Sequence, residues 1–166
     1  MGHIIDTITT TEDKKWEFII KKQGLFDNVS LRTNYINDRK PVDQRDDNKV
    51  LAEDDKALYD KYLKAAIADM NIMLARYYQR EFDDYEIDDE NIYLSLSLVL
   101  TAKHSIAFSL REYIIEFLEL YVLKKWFGIE SASLGIDAEL SEIESKLKSA
   151  INYRSVPSRR PIHPMF

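Results

Sequence analysis

The chain changes its hydrophobic rhythm several times, and each change marks an element. Residues 53–80 carry two adjacent apolar stripes at helical spacing. Leu58, Tyr62, Ala66, Met70, Met73 and Tyr77 form one; Tyr59, Leu63, Ile67, Leu74 and Tyr78 form the other. Together they predict a long helix with a wide apolar face, packed on two neighbours. Period two then takes over. Ile92, Leu94, Leu96 and Leu98 alternate with Tyr93, Ser95 and Ser97, which predicts a strand with one buried face. Tyr85, Glu86 and Ile87 are its expected hairpin partner, turning through residues 88–91. A two-stranded hairpin is marginal alone, so it must dock on the helices or on a neighbouring subunit.

Residues 105–127 predict the central helix. Ser105, Ser109, Glu112, Glu116 and Glu119 leave only a narrow polar stripe. Phe108, Leu110, Tyr113, Ile114, Phe117, Leu118, Tyr121, Val122 and Trp126 surround it with apolar surface. Gly128 is the expected C-cap. Ile136, Leu140, Ile143, Leu147, Ala150 and Ile151 then make a clean stripe on a last helix. Its outer face carries Glu142–Lys146 and Glu144–Lys148, i,i+4 pairs together worth at most about 1 kcal/mol. That helix should stop near Tyr153, ahead of the extended bias at Val156-Pro157.

The first third is less regular. Residues 3–9 are rich in β-branched side chains and read as an N-terminal arm or short strand. Thr10 or Thr11, followed by Glu12 and Asp13, reads as a helix start. Trp16, Ile19, Ile20 and Gln23 would share one face, with Gly24 as the stop. Leu25, Val29, Arg32 and Ile36 suggest a second short helix. Residues 37–48 are almost wholly polar and read as an exposed loop.

The predicted fold is therefore mainly α. It is a bundle of about four helices in one domain, residues 10–153, with a hairpin insert near 84–100 and an extended C-terminal tail, residues 154–166. At 166 residues the chain is long enough to bury a core. The N-terminus shows no signal-peptide pattern. Charges within residues 106–127 argue against a membrane span.

Candidate chemistry changes this picture little. There is no cysteine, so disulfides, thiolate nucleophiles and Cys zinc sites are excluded. His3, His104 and His163 fall in separate elements, without metal-ligand spacing. Residues 81–90 hold seven acids but fail the calcium-loop pattern: counted from Asp84, Asp89 stands where glycine is needed and Ser95 where glutamate is. Glu112, Glu116 and Glu119 share a face with no sequence-adjacent His, Lys or metal partner, so they read as a wetted stripe or a contact row. Gly24, Gly128 and Gly135 are isolated, and no phosphate loop or nucleophile elbow is present. No catalytic, cofactor or metal site is expected, and the chain reads as non-enzymatic. A net charge of −6 argues against general nucleic-acid binding. Ten tyrosines suit half-buried surfaces.

The tail is the expected partner contact. Arg154, Arg159 and Arg160 can make forked hydrogen bonds, and Pro157, Pro161 and Pro164 stiffen an extended segment. Ile162, Met165 and Phe166 can anchor in a partner's groove.

The order of elements carries a resemblance. It comprises the run Leu25 to Ile36, the polar loop, the tyrosine-rich helix, the alternation of residues 93–98 and the helix ending at Tyr121, Lys124, Lys125, Trp126 and Phe127. Tyr153-Arg154, with Pro157, Arg159, Arg160 and Pro161, closes it. This resembles small structural proteins of phages and prophages of Bacteroides-type bacteria. It is similar, more loosely, to the helical head–tail connectors (adaptor or head-completion proteins) of tailed phages, although the strand-like insert departs from the simplest all-helical ones. The resemblance implies a virion protein assembled in the host cytoplasm. It would form a homo-oligomeric ring between portal and tail, touching portal, tail or other neck proteins and passing DNA without specific binding. It brings no catalytic residues. The alternative from another class is a soluble, cytoplasmic bacterial adaptor or regulatory module that binds one protein partner.

Overall fold

The computed structural model describes residues 8–10, 15–75, 85–87, 89–97 and 104–152. It is mainly helical, with four α-helices and an antiparallel hairpin. In chain order these are β1 (Ile8–Thr10), β2 (Lys15–Lys21), α1 (Lys22–Asp38), α2 (Lys56–Leu74), β3 (Tyr85–Ile87), β4 (Asn91–Ser97), α3 (His104–Phe127) and α4 (Ile136–Ile151).

The expected hairpin is β3–β4, and it is the edge of something larger. The sheet has four antiparallel strands in the order β1-β2-β4-β3. The helix expected from Thr10 or Thr11 to Gly24 is replaced by β2, and Gly24 lies inside the first turn of α1 rather than stopping a helix. The reason is visible in the register. Phe18 lies opposite Leu94 and Ile20 opposite Ile92. Those four side chains and Leu96 are at most 2% exposed. Period two therefore places Phe18 and Ile20 in the core, and β2 covers a ladder edge of β4 that would otherwise stay open. The backbone runs straight into α1, where the Lys22 amide donates to the Glu90 carbonyl at 2.9 Å.

α1 buries Leu25, Phe26, Val29, Thr33 and Asn37. Thr33 and Asn37, rather than Arg32, continue the inward stripe. Their polar atoms are used on the following loop. Thr33 Oγ1 accepts from the Leu51 amide at 3.0 Å, and Asn37 Oδ1 accepts from the Asp46 amide at 2.9 Å. The loop of residues 37–48 is mostly exposed, as its composition predicts, yet it is stitched down. Two short 3-10 turns, Val42–Gln44 and Asp47–Lys49, organise it. Trp126 Nε1 donates to the Lys49 carbonyl at 2.7 Å, and the ammonium groups of Lys40 and Lys49 both reach Glu130. Trp126→Phe removes that indole donor and leaves the carbonyl to water. We expect a stability loss of about 1 kcal/mol and several-fold faster trypsin cleavage after Lys49, read by limited proteolysis. Unchanged cleavage would mean the loop is held without Trp126.

A further 3-10 turn, Glu53–Asp55, leads into α2, and the Asp55 carboxylate accepts from the Ala52 amide at 3.0 Å. α2 starts at Lys56, and its described part ends at Leu74. It buries Tyr59, Leu63, Ala66, Ile67, Met70 and Leu74, while Leu58 is outside the core at 39% exposed. Tyr77 and Tyr78 lie outside the described residues.

α3 is the central helix the sequence predicts. It packs against α1, α2, α4 and β2. Ala107, Leu110, Ile114, Leu118, Leu120 and Leu123 are fully buried. Phe108 departs from the expectation and is 57% exposed. Gly128 ends α3 in a left-handed conformation, φ +53°, which favours glycine. α4 buries Ile136, Leu140, Ile143, Leu147 and Ile151, so its stripe is as predicted. Both outer pairs form, Glu142–Lys146 at 2.6 Å and Glu144–Lys148 at 3.9 Å.

Candidate functional site

The residues expected to meet a partner, Arg154, Arg159, Arg160, Ile162, Met165 and Phe166, lie outside the described residues, as do His3 and His163. His104 opens α3. Of the acidic run, Asp83, Asp84 and Asp88 fall outside, and Asp89 and Glu90 occupy the exposed β3–β4 turn. No group of three or more His, Asp or Glu that could hold a metal occurs among the described residues. Nor is any described helix long and apolar enough to cross a membrane.

The row on α3 splits in a way the sequence did not show. Glu112 and Glu116 are exposed. Glu119, one turn further, is only 8% exposed because α1 crosses α3 there. Asn28 Nδ2 donates to Glu119 Oε1 at 2.7 Å. Arg32 sits between two acids, with Nη1 4.0 Å from Glu119 and Nη2 2.9 Å from Glu139 on α4. Burial pushes the Glu119 carboxyl above its ordinary range; Asn28 and Arg32 pull it down, and Glu116 and Glu112 add to the rise. Both close neighbours are hydrogen-bond donors, and neither an amide nor a guanidinium takes up a proton near neutrality. The arrangement suits a clasp joining α1, α3 and α4 better than an acid–base relay. Helical spacing could place Glu119 on α3's polar row, but only the chain crossing reveals Asn28 and Arg32.

A carboxyl raised by folding binds its proton more tightly in the folded state. Its stabilising contribution is complete below the unfolded value and is lost as pH rises through the folded value. Glu119→Gln, which removes the charge, is therefore expected to melt higher than the parent near pH 7. The gap should close as pH falls towards 4.5, the ordinary glutamate value. Thermal melts across pH check this, and a gap that widens in acid would contradict it.

Two concave regions stand out among the described residues. One, of about 460 Å³, lies where β2, α1, α2 and the β3–β4 turn meet. Lys21, Lys22 and Lys56 line it beside Asp60, Asp89 and Glu90, so its charges balance and it favours neither sign of ligand. The other is an open groove of about 590 Å³ between the first half of α3 and the second half of α4. Ile106, Ser109 and Tyr113 form its α3 wall. Glu142, Ser145, Lys146 and Ala150 form most of its α4 wall. The two helices run antiparallel here, so small residues of α4 face the start of α3 and leave a trough. Glu142 and Lys146 pair with each other on its rim, and Glu116 lies near enough to add to the upward shift of that ammonium. Compared with known protein families, characterised proteins and solved structures, the chain matches none.

Proposed function

We propose that this chain is a non-enzymatic assembly protein, a head–tail connector in the neck of a tailed phage. As a neck-ring component it links portal to tail. The order of elements supports the reading through the resemblance described above. The observation that carries it is the division of charge along the chain. Residues 153–166 hold three arginines and no acid. With −6 for the whole chain, the remaining residues carry −9. A basic, proline-rich strap beside an acidic helical body suits contacts between copies in which one patch meets a different patch. Such heterologous contacts build rings. An acidic body also suits a channel that DNA traverses without being gripped.

The test is electron microscopy of the purified chain, alone and with a portal ring. Closed rings, or assembly on the portal, are the expected result. A chain that remains single and ignores portal would overturn the reading in favour of an adaptor that binds one partner.

A further inference from the structure

We propose that the groove between α3 and α4 is the receiving surface for residues 153–166 of a second copy of the chain. The inference rests on the assembly reading and gives its contact a location. Three observations converge on this occupant.

The first is charge. The incoming segment carries Arg154, Arg159 and Arg160, and no acid. Beside the Glu142–Lys146 pair on the groove's rim, Glu116 is exposed along the adjoining face of α3, one turn from Glu112, which pairs with Arg111. Guanidinium groups match carboxylates by paired hydrogen bonds, which fixes the register of an extended peptide.

The second is shape. Ser109, Ser145 and Ala150 leave room between the helices, and Ile106 and Tyr113 supply apolar walls. A trough of that kind accepts the side chains of Ile162, Met165 or Phe166 as anchors.

The third is direction. α4 ends at Ile151, and Asn152 follows in a right-handed conformation, φ −85° and ψ −1°. The groove lies back along the last turns of the same helix. For a chain to fill its own groove, residues 153–166 must double back along α4. Residues 153–166 contain no glycine, and prolines stand at positions 157, 161 and 164. Such a sequence favours onward, extended travel over a tight reversal. Fully extended, fourteen residues span up to about 45 Å, enough to reach the next copy.

The absence of cysteine allows a clean test. Ser145→Cys is placed in one preparation and Met165→Cys in another, and the two are mixed under mild oxidation. A control pairs Met165→Cys with Ser133→Cys, an exposed site outside the groove. A disulfide-linked pair of the first two variants, at least tenfold more abundant than in the control, is expected. In the Ser145→Cys/Met165→Cys double variant, a head-to-tail ladder should appear. Equal linkage in the control would show random collision and overturn the proposal. Linkage only within single chains of the double variant would overturn it too, because the occupant would be the chain's own segment. If no linkage forms while the full chain still assembles, the groove assignment falls and the assembly reading stands. If the full chain does not assemble at all, both fall.

Discussion

Phe18→Ala is expected to lower the unfolding free energy by about 3–5 kcal/mol, read by urea or thermal denaturation. The side chain is completely buried and lies opposite Leu94 on a strand with paired neighbours on both sides. Removing the ring leaves a void that the sheet on one side and the helices on the other cannot easily collapse. Lys21→Ala, three residues along and exposed, should change stability by less than about 0.5 kcal/mol. The pair tests the sheet itself. Strand pairing makes Phe18 and Ile20 costly to truncate, and Leu94 with them. If Phe18→Ala were nearly neutral, β2 would not be the strand that closes the core.

Why β2 was hidden is clear from its residues. Trp16, Ile19 and Ile20 fit a helical face, and Trp16, Phe18 and Ile20 fit a strand face, within the same seven residues. Thr11, Glu12 and Asp13 imitate a helix start and tipped the balance. The tertiary need decided otherwise, since β4 has a ladder edge that β2 covers. α3 and α4 were legible because each sustains one period over four or more turns and ends at a glycine or an extended bias. β4 was legible because strict alternation over seven residues admits only one face. The polar loop was legible as exposed but not as anchored. Two of its anchors, Thr33 and Asn37, lie on α1 just ahead of it, and the other two, Trp126 and Glu130, come from a distant part of the chain. Glu119 was hidden for the same reason: its burial depends on where α1 crosses, which no local pattern encodes. The groove was hidden as well: Ala150 fits α4's apolar stripe, and Ser145 and Ser149 make a trough only once α3 is laid beside them.

Deleting residues 155–166 is expected to abolish assembly while leaving helical circular dichroism and the melting temperature nearly unchanged. The buried cluster among the described residues runs from Phe18 to Ile151 and draws on every described α-helix and on β2 and β4. The deletion takes Arg159, Arg160 and all three apolar anchors, and so most of what a neighbouring copy could hold. A large fall in melting temperature would instead make the segment part of its own core. Replacing Arg159 and Arg160 with alanine should weaken assembly in part and make the remainder less sensitive to salt, because exposed charge contacts are screened.

In the proposed assembly, the basic residues 153–166 of one copy meet the α3–α4 groove of the next. Native mass spectrometry of the full chain beside the chain lacking residues 155–166 tests it most directly. A discrete closed oligomer is expected for the full chain and a folded monomer for the shortened one. A full chain that stays monomeric at the same concentration, alone and with portal present, would contradict it.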